Sequence, residues 1–255
     1  MAADGWTVYA TARRPETLAG LDGCRTLALD VTDEASMRSA VAEAETDGPL
    51  GALVNNAGYS LSGALETVPP DELRRQFETN VFGLVRMCQL VLPGMRARGR
   101  GRIVNISSMG ANFTFPGGGA YHATKYAVEA LSDALRFEVQ GFGVGVTVVQ
   151  PGLIRSEFAA TAAGKMAADD GPYAQFNAAV GRATQDVYTR GPLARFGGSP
   201  DDVARAVEAA IDARRAPIRV RVTPSARILI AQRRVLSDAL WDRFLATQFP
   251  RPGLS

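Results

Sequence analysis

Tyr121 and Lys125 are the residues whose types and spacing most directly suggest chemistry. They stand four positions apart in the proline-free run GGGAYHATKYAVEAL, residues 117–131. On a helix, positions four apart share a face, so the Lys125 ammonium can stand beside the Tyr121 phenol. Lys125 and Lys165 are the only lysines among 28 lysine and arginine residues. Because an arginine would serve a surface salt bridge equally well, position 125 is predicted to need a compact ammonium.

The chemistry predicted for this pair is general acid and base catalysis. A phenol with its ordinary pKa of about 10 is a poor base at neutral pH, and a neighbouring cation lowers that pKa by roughly 1–3 units. We therefore expect a lowered pKa for Tyr121, which would make its hydroxyl a usable acid and base. His122 points about 100° further around the helix and is expected to be a bystander.

Short β-branched runs alternate with longer amphipathic runs along the chain. This alternation predicts parallel strands covered by helices on both faces, which is a doubly wound α/β fold. The expected strands occupy residues 6–12, 25–31, 50–56, 101–107, 144–150 and 218–223, and the expected helices occupy residues 33–46, 70–97, 120–140 and 200–214. Ser199 is the predicted N-cap of the last helix, with Pro200 at its first position. The length suits a single domain over residues 1–255.

Four sets of residues are expected at the edge of the sheet where such folds bind ligands, the carboxyl ends of the strands. NNAG at residues 55–58 follows the third expected strand, and Ser108 follows the fourth. Pro151 and Gly152 follow the fifth strand, and the helix between the fourth and fifth strands opens with Tyr121 and Lys125. This edge is therefore the predicted active site.

Composition and charge argue against several classes of partner. The net charge is +2 and the charges are interspersed, with no basic run joined to aromatic residues, so nucleic acid is not expected. A single histidine and two distant cysteines, Cys24 and Cys88, argue against a metal site and favour a reducing compartment. The apolar runs are too short to cross a bilayer and the first residues do not resemble a leader, so a cytoplasmic protein is predicted.

Two segments are expected near the substrate. Residues 153–198 lack strand signals and form either a substrate lid or ordinary packing helices; their large apolar residues are Phe158, Met166, Tyr173, Phe176 and Tyr188. The tail, residues 224–255, is expected to be helical and to cover the core with Trp241, Phe244 and Phe249. Because Phe113 and Phe115 follow Ser108 closely, these segments predict a hydrophobic alcohol or ketone as substrate.

The motifs together resemble the short-chain dehydrogenase/reductase family. YHATK matches its Tyr-x-x-x-Lys signature, NNAG matches residues 55–58, and Ser108 precedes Tyr121 by the family's interval. The resemblance extends from residue 5 to about residue 215, and ATARRPE at residues 10–16 is most similar to steroid- and retinol-type members. It implies a Rossmann-like fold and hydride transfer between a nicotinamide cofactor and an alcohol or carbonyl compound.

The resemblance also implies a role for each matching residue. Ser108 would hydrogen-bond the substrate carbonyl, and Tyr121 would pass the proton. Lys125 would lower the Tyr121 pKa and hold the nicotinamide ribose. Asn80, in FETNVFG, would steady a water that links Lys125 to solvent. Ser107 is expected to point to the opposite face of its strand from Ser108.

The implied cofactor contacts lie along the same edge. They are Asp30, which ends its expected strand near the adenine, Val31, which packs on that ring, and Asn56, Ala57, Gly58, Tyr121, Lys125, Pro151, Gly152 and Ile154. NAD-specific relatives carry a carboxylate where this chain has Ala12. Arg13 and Arg14 follow, and their guanidinium groups suit the 2′-phosphate of NADP. We therefore expect NADP (NADPH), with NAD the less favoured cofactor.

One part of the family pattern is missing. Neither GxGxxG nor a TGxxxGxG-like run occurs in the sequence, and the strand, turn and helix expected before residue 6 would need roughly 20–25 residues. Three explanations stay open: a misplaced start at Met1, a truncation, or the loss of tight cofactor binding. We expect an N-terminally extended chain to bind the dinucleotide more tightly, because the turn supplies N–H groups for the pyrophosphate.

Other functions also stay open on the sequence alone. A non-catalytic scaffold without tight cofactor binding is favoured by the missing glycine turn and opposed by the complete set of Asn80, Ser108, Tyr121 and Lys125. A serine hydrolase would need a GxSxG elbow, which is absent, and His122 would be its only base. The resemblance implies that two copies can pair through the helices expected at residues 70–97 and 120–140.

Overall fold

The structure is a computed structural model that describes residues 5–156, 171–190 and 193–253. Its strands are β1 (Val8–Ala12), β2 (Cys24–Ala28), β3 (Ala52–Asn55), β4 (Gly101–Ile106), β5 (Val144–Gln150) and β6 (Arg219–Arg221). Its helices are α1 (Glu34–Glu45), α2 (Pro70–Phe77), α3 (Gly83–Ala97), α4 (Gly119–Val139), α5 (Ala174–Thr189), α6 (Pro200–Asp212), α7 (Pro224–Val235) and α8 (Asp238–Ala246).

The expected elements are present, with some ends moved. β2 stops at Ala28, so the prediction that Asp30 ends this strand is wrong by two residues. The helix expected at residues 70–97 consists of α2, a π-helical turn over Glu78–Phe82, and α3. Ser199 caps α6 as predicted. The side chain of Asp202 accepts hydrogen bonds from the Ser199 backbone N–H at 2.8 Å and from the Ser199 hydroxyl at 3.0 Å.

All strand pairs among the described residues are parallel, but they form two sheets. β1 pairs with β2, and a second sheet has the order β3-β4-β5-β6. In β4, the buried Ile103 packs against the helices α1, α3 and α4 on one face, and the neighbouring Val104 packs against Val207 and Ile211 of α6 on the other. Because successive side chains point to opposite faces, both faces of β4 are covered. The doubly wound architecture is therefore confirmed.

A cleft separates β1 from β3. Within the described ranges no strand lies between them, so each of the two strands has one edge without a strand partner. One cavity, of about 880 Å³, is lined by β1, β3 and the helices α1 and α3. A second cavity, of about 1310 Å³, is lined by Val8, Ala10 and Val54 of these strands and by α6. A cavity thus lies on each face of the sheet between β1 and β3.

The C-terminal helices cover the core, as predicted for the tail. Trp241 of α8 is buried in one apolar cluster with Phe113, and Leu229 and Ile230 of α7 belong to the same cluster. Of the segment 153–198, the structure describes residues 153–156, α5 and residues 193–198. Phe158 and Met166 lie outside the described residues. No described helix is long and apolar enough to cross a membrane.

Candidate active site

Ser108, Tyr121 and Lys125 line the same cavity of about 1310 Å³. The cavity lies at the carboxyl ends of β4 and β5, and its lining includes the predicted cofactor residues Asn56, Gly58, Pro151, Gly152 and Ile154. Residues from position 56 to position 154 of the chain therefore meet at one sheet edge. The edge predicted from the strand ends is the edge that the structure forms.

The ammonium of Lys125 is buried at this edge. Lys125 is 5% exposed, and its Nζ donates a hydrogen bond to the carbonyl oxygen of Ile106 at 2.8 Å. Burial lowers the pKa of Lys125 from 10.5 to about 8, and the negative charge of Glu129, one turn along α4, acts in the opposite direction. An ammonium has three N–H donors. Within the described residues one of them is used, so the others can bind a ligand.

The Tyr121 pKa contradicts the sequence expectation. Burial raises this pKa well above its ordinary value of 10, a hydrogen bond with Ser108 acts against the rise, and the nearby Tyr188 adds to it. The predicted lowering by Lys125 is wrong for this arrangement, because Nζ lies 5.8 Å from the centre of the Tyr121 ring and donates to Ile106. Burial therefore favours the protonated phenol.

The two adjacent serines have different surroundings. Ser108 caps a 3-10 turn over Met109–Ala111, and its Oγ accepts a hydrogen bond from the Gly110 N–H at 3.0 Å. Ser107 is buried, and its hydroxyl finds no hydrogen-bond partner in the part of the chain that the structure describes. Ser108, and not Ser107, is hydrogen-bonded to Tyr121.

Asn80 connects the loop after β3 to helix α4. Its Oδ1 accepts from the Tyr59 N–H at 3.0 Å, and its Nδ2 donates to the Tyr59 carbonyl at 2.9 Å and to Thr124 Oγ1 at 3.0 Å. Asn80 lies in the π-helical turn, and such turns often occur at functional sites. A Cβ on Gly58 would lie 3.1 Å from Asn80 Oδ1 and 3.7 Å from Lys125 Nζ. Asn80 thus positions the loop beside Lys125.

Asn55, the first residue of NNAG, has a structural role that its sequence motif does not reveal. Its Nδ2 donates to Asn105 Oδ1 at 2.9 Å and to Cys88 Sγ at 3.3 Å, and Asn105 in turn donates to Ser132 Oγ at 2.9 Å. This buried chain of polar groups joins β3, β4, α3 and α4. The sequence carries one signal of this structural role, a polar residue inside an otherwise apolar strand.

Gly152 is required by close packing. A Cβ at this position would lie 2.1 Å from Thr223 Oγ1 and 2.5 Å from Ser225 Oγ, the two side chains at the start of α7. Next to it, Pro151 accepts a backbone hydrogen bond from Met109 at 2.9 Å. The Pro-Gly pair therefore joins the segment after β5 to both the Ser108 turn and the tail.

The residues predicted to contact the adenosine half lie at the ends of β1 and β2. Arg13 and Arg14 are exposed. Hydrogen bonds from Thr32 hold the pKa of Asp30 below its ordinary value, and the charge of Arg13 contributes in the same direction. Val31 and Ala57 line the other cavity, of about 880 Å³, and Val31 lies against the backbone of α3, where a Cβ on Gly83 would be 2.4 Å from its carbonyl oxygen.

An aromatic wall lies behind part of the cavity lining. Phe113 is 1% exposed and its ring centre lies 5.0 Å from that of Phe115 and 5.7 Å from that of Trp241. These three rings belong to one apolar cluster with Met109 and with Tyr188 of α5, and the last two residues line the cavity with Tyr121. The apolar cluster beside the site is thus built from α5, the tail and the segment after Ser108.

Comparison with known proteins agrees with this geometry. Residues 1–167 match the family model for short chain dehydrogenases. This chain belongs to the short-chain dehydrogenase family. A solved short-chain dehydrogenase from Streptomyces avermitilis has a TM-score of 0.78 and 34% identity, over 95% of this chain and 88% of that one.

Two further proteins bear on the chemistry. A 3-ketodihydrosphingosine reductase from Bacteroides thetaiotaomicron is 44% identical over 155 residues, which are 60% of this chain and 57% of that reductase. The chain thus matches less than two thirds of that relative's length. A serine dehydrogenase solved in complex with NADP+ has a TM-score of 0.70 and 29% identity, over 88% of this chain and 87% of that one.

The first prediction concerns the cost of burying Lys125. Lys125→Met should raise the free energy of unfolding at pH 7, because folding now places an ammonium with a lowered pKa in the core. The pKa shift from 10.5 to about 8 is about 2.5 units, and each unit is worth about 1.4 kcal/mol, so the gain is at most about 3–4 kcal/mol. The penalty is fully present below the folded pKa of about 8 and disappears as the pH rises towards the unfolded value of 10.5.

Urea unfolding of both proteins at several pH values measures this difference. The advantage of Lys125→Met should shrink steadily above pH 8. An advantage that is constant with pH, or a less stable variant at pH 7, would contradict the assignment of a buried charge at this position.

Proposed function

We propose that the protein catalyses reversible hydride transfer between NADP(H) and a hydrophobic alcohol or its carbonyl form. The observation that supports this most strongly is the shared cavity of Ser108, Tyr121 and Lys125, with the ammonium buried beneath the phenol. The nicotinamide supplies or accepts the hydride in this family of reactions. The residues of the chain then have to hold the substrate oxygen, handle one proton and bind the cofactor.

Each of these tasks has a candidate residue. Ser108 has its Oγ fixed by the Gly110 N–H, and its hydroxyl proton can be donated to a substrate oxygen. Tyr121 keeps its proton because burial raises its pKa, so it suits protonation of a carbonyl oxygen as that oxygen becomes an alcohol. Lys125 has N–H donors for a ribose hydroxyl. Asn80 Oδ1 accepts one described hydrogen bond and can accept a second one from a water.

The residues present fit a nicotinamide cofactor at the catalytic end and NADP at the other end. Pro151, Gly152 and Ile154 line the cavity beside Tyr121 and Lys125. Exposed Arg13 and Arg14, with Ala12 in place of an acid, favour a 2′-phosphate. The NADP+ complex of the related serine dehydrogenase is consistent with this choice. NAD is the second candidate.

The substrate we propose is a hydrophobic ketone or secondary alcohol. Met109, Ile154 and Tyr188 in the cavity lining favour apolar groups next to the reacting carbon, and the aromatic wall packs behind Met109 and Tyr188. A related protein from Bacteroides thetaiotaomicron is named 3-ketodihydrosphingosine reductase. This similarity adds support for an apolar ketone without identifying the molecule.

A non-catalytic scaffold without tight cofactor binding is the alternative that the sequence leaves open. Titration with NADPH, followed by nicotinamide fluorescence, separates the two functions. A scaffold would show no saturable binding, whereas the proposed enzyme should bind and then reduce a ketone.

Two further proposals concern the cellular location of the protein and its assembly. A cytoplasmic location stays a prediction from the sequence. Pairing of two copies through α2, α3 and α4 is supported by large apolar side chains that are exposed on the π-helical turn between α2 and α3 and on α4: Phe82, Tyr126, Leu131 and Phe137. The proposed partner in catalysis is a small molecule.

The second prediction tests the proton-transferring group. Tyr121→Phe should lower kcat for ketone reduction by at least about 100-fold, because it removes only the proton-donating hydroxyl and keeps the ring. The assay follows NADPH oxidation with three ketones in turn: an aryl alkyl ketone, a steroid 3-ketone and a long-chain aliphatic 3-ketone. Tyr121→Phe should keep the melting temperature and the NADPH affinity of the parent.

Tyr126→Phe is the matched control, since Tyr126 lies on the same helix and is exposed. It should keep the parent's kcat. If the parent and Tyr121→Phe reduce a ketone at equal rates, Tyr121 is rejected as the acid. Lys125→Arg should also lose most of kcat, because a planar guanidinium cannot reproduce a buried ammonium beside Gly58.

The third prediction concerns cofactor choice. The parent should prefer NADPH to NADH in kcat/KM, and replacing both Arg13 and Arg14 by Ala should reduce that preference at least about tenfold. A charge-assisted hydrogen bond to the 2′-phosphate contributes about 1.5–3 kcal/mol, and 1.4 kcal/mol is tenfold. Arg38→Ala, which removes an exposed arginine on α1, is the control. A parent that prefers NADH would refute the proposed cofactor.

A further inference from the structure

His122 is the single histidine of the chain, and its ring is buried directly behind Tyr121. Nδ1 lies 2.6 Å from the carbonyl oxygen of Gly110, and Nε2 lies 3.4 Å from the backbone nitrogen of Phe115. A carbonyl oxygen only accepts and a backbone N–H only donates. One form of the ring satisfies both contacts, namely the neutral imidazole with its proton on Nδ1.

Two glycines hold the ring in this orientation. A Cβ on Gly110 would lie 2.5 Å from Cε1 and Nδ1 of His122, and a Cβ on Gly118 would lie 2.7 Å from its Cδ2. No side chain fits at either position without displacing the imidazole. The ring is therefore packed against the backbone before and after the turn, and it cannot flip without moving that backbone.

Gly110 is the link between His122 and the catalytic serine. Its N–H donates to Ser108 Oγ at 3.0 Å, and its carbonyl is the group that His122 Nδ1 contacts. These two bonds fix the peptide groups on both sides of the Gly110 Cα. Glycine has the greatest backbone freedom of any residue, so at this position the constraint has the largest effect.

The other end of the ring reaches the aromatic wall. Phe115 donates its backbone N–H to Nε2, and the rings of Phe113 and Phe115 lie 6.5 and 6.0 Å from the imidazole, centre to centre. The segment from Gly110 to Phe115 is therefore held by the same ring at both ends. Phe113 and Phe115 of this segment belong to the same apolar cluster as Met109 and Tyr188, which line the cavity.

We propose that His122 is a positioning residue of the active site: its Nδ1–H holds the Gly110 carbonyl and thereby fixes the orientation of Ser108, while Nε2 holds the backbone of the aromatic wall. This assignment rests on the proposed function, in which Ser108 binds the substrate oxygen. It differs from the sequence expectation that His122 is a bystander. His122 takes no proton from the substrate and acts only through Gly110 and Phe115.

The first arm of the test needs no substrate. Because the chain has one histidine, nitrogen NMR of untagged protein labelled with ¹⁵N-histidine reports this ring alone. At neutral pH we expect a neutral imidazole protonated on Nδ1. Protonation on Nε2 alone, or on both nitrogens, would overturn the proposal even if the protein proves to be an active reductase.

The second arm is a matched pair of variants, His122→Asn and His122→Leu. The two side chains have nearly the same shape, and the amide nitrogen of asparagine occupies the place of Nδ1 on Cγ, so only the Asn variant can donate to Gly110. With the ketone that the parent reduces fastest among the three tested above, kcat of the Leu variant should be at least about tenfold below that of the Asn variant. The KM for NADPH should be similar in both.

Each result of the second arm is decisive. A smaller difference in kcat between the two variants would overturn the proposal, because a role in volume alone affects them equally. A difference that appears mainly in KM for NADPH would also overturn it, since Ser108 is proposed to hold the substrate and not the cofactor. Should the Leu variant fail to fold, the NMR measurement on the unchanged protein decides.

Discussion

The hydrogen bond from the buried Lys125 ammonium to the carbonyl of Ile106 is the interaction on which the candidate site depends. Taking an ammonium out of water costs several kcal/mol unless partners compensate for it. Here the last carbonyl of β4 accepts one N–H at 2.8 Å, and the buried carboxylate of Glu129 contributes an opposite charge from the next turn of α4. The cost that remains appears as a lowered pKa. Such a site keeps a strong donor ready for a ligand, at the expense of stability.

The neighbouring elements are built around this ammonium. The π-helical turn directs Asn80 to the Tyr59 backbone and to Thr124, which ties the loop after β3 to α4. Gly58 leaves no space for a side chain between Asn80 and Lys125. On the other side, Ser108 is fixed by the Gly110 turn and hydrogen-bonded to Tyr121. Tyr121 and Lys125 thus lie on one helix, α4, and Ser108 and Ile106 tie them to the end of β4 and the segment after it.

The sequence predicts the elements and the edge well, because strand and helix periodicity and the residues after each strand are local properties. It does not predict the Tyr121 pKa, since four-residue spacing places Lys125 on the right face but does not determine where Nζ donates. Asn55 shows the same limit: its partners Cys88 and Asn105 come from other elements. The contact of His122 with the Gly110 carbonyl has the same origin, because the angle of the side chain around the helix says nothing about the turn that packs against it.

The charge state of Lys125 can be measured directly, since the chain has only two lysines and Lys125→Met identifies which NMR signal belongs to position 125. Protein labelled with ¹⁵N or ¹³C at the lysine side chain would be titrated with pH. The account predicts that the Lys125 signal titrates with a pKa of about 8. Titration near the ordinary lysine value of about 10.4 would show that the ammonium is solvated and would contradict the account.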